Sequence, residues 1–387
     1  MTESDTFAFS PLEASALERA LRVALAMRGL AVPVFGAVLP AVMATFGLSN
    51  AQASLLPVVG GLGSVAAALS SGSLSARLRL RTMALLLAGL LVTAALVLAG
   101  APTWAFFVAG AFLLNWGTGG LVTLSSVLLA LAFRGRSGQA FNRVFLFIGV
   151  GSLASPLLVG GTLAFAGSWR WTFAVMGVAY ATLIFILGGA PYPPNEQTTA
   201  VATGDPRPWW QRRSLILCAA ALACYVGAEA SLTTWAARFL SAERRTSIAL
   251  AASAVSLFWG GMIGGRYTFS RWVRAGREKA MVGLASGAGM IATLIFLGAP
   301  GQIVPLVALG ISGLAFGGVW PTVMSYAAAR AVGATGAASS LLVTLGFLGG
   351  LLFPAWIGIL STWVGLGVAL RGAVAVFALA AALFALA

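Results

Sequence analysis

Apolar residues run through this chain in stretches of about 20, separated by short polar or basic segments, from Leu21 to the last residue. A stretch of that length crosses the roughly 30 Å hydrocarbon layer of a bilayer as an α-helix. The pattern predicts helices near 22–46, 52–74, 82–101, 104–132, 141–166, 171–190, 214–240, 247–269, 279–299, 303–330, 335–360 and 368–387. Glu13–Arg22 forms a short amphipathic entry to the first of them. One longer polar segment, rich in Pro, Thr and charge, interrupts the series after the sixth. The expected architecture is an all-α membrane protein, with twelve transmembrane helices in two pseudo-symmetric six-helix bundles. The bundles are 22–190 and 214–387, joined by a cytoplasmic linker, 191–213, and preceded by a cytoplasmic N-terminal segment, 1–21.

The two halves carry a common pattern at a fixed offset. Gly119, Gly120, Gly135, Gly138, Gly151 and Gly160 recur 198 positions later as Gly317, Gly318, Gly333, Gly336, Gly349 and Gly358, and Pro156 recurs as Pro354. With 48 Gly in 387 residues, chance would match roughly one or two. Glycines return where backbones approach closely or need unusual dihedrals, so the duplicated quantity is a packing geometry. Two tandem halves in a membrane chain form the layout of a secondary transporter.

Composition excludes a soluble domain: 60% of residues are hydrophobic, 8% are charged, and the mean hydropathy is +0.97. The net charge of +14 at first suggests nucleic acid, but 18 of the 23 basic residues fall at helix ends facing one side. That bias orients a membrane protein with both termini cytoplasmic, and no nucleic-acid partner is expected. The N-terminal segment lacks the basic start and short apolar core of a cleavable signal peptide. There is no His, and the two cysteines, Cys218 and Cys224, share one predicted helix. No metal site, P-loop, Gly-x-Ser-x-Gly elbow or intramembrane carboxylate pair is present, so the chain is expected not to be an enzyme and to need no cofactor beyond an ion gradient.

Twelve spans, a central linker and basic loops after spans two and eight resemble the major facilitator superfamily. Its loop pattern Gly-x-x-x-Asp-Arg-x-Gly-Arg-Arg is matched here by Gly72, Arg77 and Arg81, with Ala76 in place of the aspartate. Within that superfamily, Tyr225-Val-Gly-Ala-Glu229-Ala-Ser-Leu-Thr-Thr-Trp235 and Ser256-Leu-Phe-Trp259-Gly-Gly-Met-Ile-Gly-Gly265-Arg266 resemble the fucose–proton symporter branch. Phe141-Asn-Arg143 with Gly149, Gly151 and Pro156 resembles that branch's fifth span. The resemblance implies secondary active transport by alternating access, with proton-coupled symport of a sugar-like solute by a monomer in a bacterial inner membrane. Its partners would be a small-molecule substrate and the lipid bilayer. It also implies a gate at Gly72, Arg77, Arg81 and Arg266. Gly151-Ser-Leu-Ala-Ser-Pro156-Leu-Leu-Val-Gly160-Gly161 is similar to a drug–proton antiporter pattern, which keeps efflux of drugs or lipids as an alternative. Transport of an organic anion, or a non-transporting receptor or accessory role, are the others.

Of nine acidic residues, Glu229 alone falls near the middle of a predicted span. A carboxylate at bilayer depth is expensive unless it faces protein or water, which marks it as a functional candidate. Low-dielectric surroundings favour a neutral carboxyl group, so Glu229 suits a residue that loads and releases a proton. A structural carboxylate bonded to a neighbouring helix end is the plainer alternative. Tyr225, Glu229 and Thr233 fall at i, i+4 and i+8, on one helical stripe. Arg28 and Arg143 sit near the ends of spans one and five, where long side chains snorkel to the interface. Alternatively they bind an anion or a carboxylate. Asn115, Trp116, Thr118 and Ser125 form a partly polar face on span four, with Phe316, Trp320 and Met324 in the matching place of span ten. Trp235, Trp259 and Trp320 are candidates for ligand stacking, with packing as an equal alternative. For the topology, Pro194→Cys labels from the cytoplasm and Gly167→Cys from the opposite side with an impermeant maleimide; the reverse pattern contradicts the orientation.

Overall fold

The computed structural model describes residues 9–133, 137–192, 213–272, 276–330 and 335–387. The chain folds into α1 Pro11–Phe46, α2 Asn50–Ala53, α3 Leu55–Arg77, α4 Leu80–Ala99, α5 Trp104–Ala132, α6 Ser137–Ala166 and α7 Arg170–Gly188. It continues with α8 Arg213–Glu243, α9 Ile248–Trp272, α10 Glu278–Gly298, α11 Ile303–Phe316, α12 Val319–Arg330, α13 Thr335–Val364 and α14 Leu366–Leu386. Among the described residues these make twelve spans long and apolar enough to cross a membrane. Helices are the required solution, because lipid offers no partner for unpaired backbone groups. Phe165 and Phe185 are 95% and 81% exposed, a placement that water penalises and lipid does not.

The helix starts follow local chemistry. Ser10 and Glu13 exchange side-chain-to-backbone bonds (Ser10 N to Glu13 Oε2, 2.9 Å; Glu13 N to Ser10 Oγ, 3.3 Å) around Pro11. This capping box, with proline in the first turn, starts α1 ten residues before the apolar run begins at Leu21. Ser49 and Gln52 form a second capping box ahead of α2. Gly167 and Gly365, again 198 positions apart, carry positive φ (65° and 80°) and end spans five and eleven, where a side chain would strain the backbone.

The described residues fall into two compact units, bounded as Met1–Val34, Val59–Leu158 and Thr162–Ala200 for the first, and Phe35–Val58, Val159–Gly161 and Val201–Ala387 for the second. In the first, α4 packs on α5 and α7. The rings of Phe107, Trp169 and Phe173 meet edge-on at 5.3–6.1 Å. In the second, α8 is the central helix, flanked by α13 and α14, while α9 packs on α11.

Among the duplicated glycines, Gly151 and Gly349 mark backbone-to-backbone contact. A Cβ on Gly151 of α6 would run into Ala26 O of α1 and lie 2.8 Å from Gly29 Cα. A Cβ on Gly349 of α13 would run into Ala223 O of α8. Spans five and eleven thus meet spans one and seven in the same way. Gly160 is pressed against Ala249 O and Ser253 of α9, and Gly358 against Asn50, Ser54 and Trp235, all within the second unit. Gly135 and Gly333 lie outside the described residues, as do the side chains at 138 and 336.

The copies differ in the continuity of one span. Span ten, expected as one helix over 303–330, is two: α11 stops at Phe316, and α12 begins after Gly317-Gly318. Pro321 lacks the N–H that an unbroken helix would donate to Gly317 O. Its counterpart 198 positions earlier is Thr123, and α5 continues straight through.

Gly151→Leu and Gly349→Leu should each destabilise the protein, by about 1–3 kcal/mol as overpacking of a filled site does. Gly89→Leu, at a site where an added Cβ meets nothing within 4 Å, should not. Melting curves of the three purified variants test this, and wild-type stability of both close-contact variants contradicts the packing role.

Candidate functional site: a buried carboxyl group beside a broken helix

Glu229 lies at the centre of α8, partly buried. Its carboxyl group interacts with the hydroxyl of Tyr225, one turn earlier on the same helix, and feels the Arg266 guanidinium of α9. Tyr225 is buried, and its hydroxyl donates to Phe316 O, 2.9 Å away, the carbonyl at the end of α11. Side-chain donors satisfy backbone groups freed at breaks within membranes. Tyr225 is held there by rings: Phe316 and Phe377 stack at 3.9 Å, and each meets Tyr225 edge-on at 6.1–6.3 Å. The arrangement is a chain from carboxyl group to phenol to broken helix.

The other candidates of this unit divide by what their polar atoms meet. Thr233 turns its hydroxyl to Glu229 O, 2.9 Å away, within its own helix. Trp235 is fully enclosed and donates its indole N–H to Pro354 O (2.9 Å), so it locks α8 to α13. Trp259 is buried against Phe258, and its indole nitrogen has no acceptor among the described residues. Trp320, partly buried in α12, lies against Gly346 of α13, where a Cβ would come within 2.9 Å of the ring.

In the first unit, Asn115 lies against Gly60 and Gly63 of α3, and its amide donates to Ala111 O (2.9 Å). Trp116 donates to Ser70 Oγ (3.0 Å) and meets Phe112 edge-on. Arg143 is half-exposed and engages both oxygens of Glu18 (3.0 and 3.2 Å), while Arg22 holds Glu18 from within α1 at 2.5 Å. Arg28 makes no such pair among the described residues. Its Nε is buried without a partner among those residues, and it lies within electrostatic reach of Tyr180 of α7, whose hydroxyl donates to Met27 O (3.3 Å).

Of the loop-motif residues, the side chains of Gly72 and Arg77 lie outside the described residues; both close α3 as backbone. Arg81 is exposed in α4 and donates to Gly188 O (2.6 Å). Arg266 is a residue of α9 rather than of a loop, and its guanidinium donates to Met262 Sδ (3.6 Å) one turn earlier. The sequence did not single out Glu18 as a partner of Arg143, Tyr180 as a neighbour of Arg28, or Phe316 O as an acceptor. Only the Glu18–Arg22 spacing and the Gly317-Gly318 pair gave a signal.

Comparisons with known proteins agree with this architecture. Residues 23–354 match the model of the Major Facilitator Superfamily. A glucose/galactose transporter of Brucella abortus is 28% identical over 208 residues, 53% of this chain and 50% of the relative, so the chain spans about half the length of that curated relative. A bacterial homologue of the human lysosomal transporter Spinster, in an inward-facing and occupied conformation, superposes with a TM-score of 0.79 at 15% identity, over 98% of this chain and 97% of that one. The fucose:proton symporter of Escherichia coli superposes with a TM-score of 0.62 at 17% identity, over 95% and 97%. At these identities the two structures speak for the fold. Family match, twelve membrane-capable helices among the described residues and glycine-paired halves agree: this multi-pass membrane chain belongs to the Major Facilitator Superfamily.

Proposed function

We propose that the chain is a proton-coupled symporter of a small polar, sugar-like solute, working by alternating access, with Glu229 as the proton site. The observation that carries this reading is the Glu229–Tyr225–Phe316 chain. The single proton of the Tyr225 hydroxyl is committed to Phe316 O, which leaves the phenolic oxygen as an acceptor. A protonated Glu229 can donate to that oxygen. An ionised Glu229 needs a donor, and it competes with Phe316 O for the same hydrogen. Loading or releasing a proton therefore changes the bonding of the carbonyl at the break in span ten, a point where the helix is already discontinuous. Arg266 supplies the charge that makes the ionised form tolerable.

A sugar-like solute is supported by the relative named as a glucose/galactose transporter, and Trp259 and Trp320 are the aromatic candidates for stacking on it. Asn115 and Trp116 are the polar candidates of the first half. The halves 22–190 and 214–387 are the moving bundles, the gate includes Gly72, Arg77, Arg81 and Arg266, and the protein works as a monomer in the inner membrane with both termini cytoplasmic.

In proteoliposomes, an inwardly directed gradient of one pH unit supports about tenfold accumulation at one proton per solute. With labelled galactose as probe, the wild-type protein should accumulate, and Glu229→Gln, which mimics the protonated group, should stop at equal concentrations while still exchanging galactose. Full accumulation by the Gln variant rejects Glu229, and a strict Na⁺ requirement rejects proton coupling.

A further inference from the structure

The two arginines singled out in the first half have different surroundings. Arg143 is neutralised by Glu18, which also holds Arg22. Arg28, on the same helix as Glu18 but ten residues on, has no carboxylate within ion-pair distance and no hydrogen-bond acceptor among the described residues, and its Nε is buried. The Tyr180 phenol beside it is neutral, and its own proton is committed to Met27 O. It therefore offers Arg28 a dipole and no charge. An arginine stays charged in a protein, so the group cannot escape by losing its proton. A second orphaned donor lies on the adjoining helix. Ser155, one turn beyond Gly151 on the same face of α6, has a buried hydroxyl without a partner among the described residues. The Gly29–Gly151 contact, reinforced by Ser152 Oγ donating to Gly29 O (3.3 Å), brings this stretch of α6 against α1 beside Arg28.

We propose that Arg28 is the anion-binding residue of the transport site, and that the solute is an acidic, sugar-like molecule whose carboxylate or phosphate group it holds. A guanidinium presents a planar fork of donors that matches an oxyanion with two parallel bonds. The ligand supplies the missing charge, and binding removes the mismatch of an uncompensated cation within a membrane span. This inference rests on the symport reading and deepens it, because the proton site and the anion site are on different helices and fail separately. Arg143 is excluded as the anion site since Glu18 already occupies its fork.

The test compares ring-matched probes at fixed ionic strength: glucose, glucuronate and glucose 6-phosphate, read by thermal shift on the purified full chain. Glucuronate or glucose 6-phosphate should stabilise the wild-type protein and bind about tenfold tighter than glucose or better, as a charge-assisted bond implies. The carboxylate and phosphate arms show which oxyanion is preferred. Arg28→Gln should lose the difference between charged and neutral probes, Arg28→Lys should keep part of it, and Arg143→Gln should keep all of it. If Arg28→Gln does not fold, the wild-type comparison and Arg28→Lys decide. Equal or stronger stabilisation by glucose, or no shift with either anion, overturns the anion site. Glu229→Gln should keep the anion preference, so proton coupling is judged separately by accumulation.

Discussion

Backbone-to-backbone contact between helices, made possible where a side chain is missing, is the constraint on which the rest of this structure depends. In lipid there is no hydrophobic force pushing helices together, so their association rests on close packing and on hydrogen bonds between them. Gly151 against Ala26 and Gly29, and Gly349 against Ala223, bring α6 onto α1 and α13 onto α8 as closely as backbones allow. Glycine is unfavourable within an isolated helix, and its use here is justified only by what it touches. The same device joins α9 to α11 at Gly261, Gly265 and Gly313, each facing a backbone oxygen of the other helix. Once these distances are fixed, the polar residues on either side of each seam have fixed neighbours, and both candidate groups inherit their surroundings from a seam: Arg28 from the first, Tyr225 and Glu229 from the second helix pair.

Within this rigid framework the break in span ten is the exception. Two glycines and a proline remove a stretch of regular helix bonding, and the Phe316 carbonyl is taken up by Tyr225. A non-helical backbone at membrane depth is expected only where other groups satisfy it, and a titratable side chain next to such a point can change the satisfaction. The duplicated copy with Thr123 in place of Pro321 lacks this property. The halves thus share a scaffold and differ in chemistry, with the acidic group on the side that carries the break.

Much of this was legible in the sequence because bilayer thickness imposes a length on every span, and apolar runs of that length have few other uses. The glycine repeat was legible for a similar reason: only close contact rewards a glycine in a helix, and the offset of 198 gave the partners. Contacts between distant positions were not legible. Glu18 and Arg143 are 125 positions apart, and nothing local distinguishes a snorkelling arginine from one held by a carboxylate. Trp235 has the sequence of a ligand-stacking residue, yet its indole is enclosed and bonded to Pro354 O, which depends on how α13 packs. The division of span ten was written in Gly317, Gly318 and Pro321, but a proline in such a run also fits a mere kink. Tyr225 decides the matter, and it sits on another helix.

The central claim is that solute and proton cross together through Glu229. It is tested most directly by the proton itself, with a pH electrode in a weakly buffered suspension of proteoliposomes given a transported sugar or sugar acid. The account predicts that the medium turns alkaline in step with solute uptake by the wild-type protein. Glu229→Gln should carry the solute down its gradient with no change in pH. Uptake by the wild type without proton movement, or proton movement retained in the variant, would contradict it.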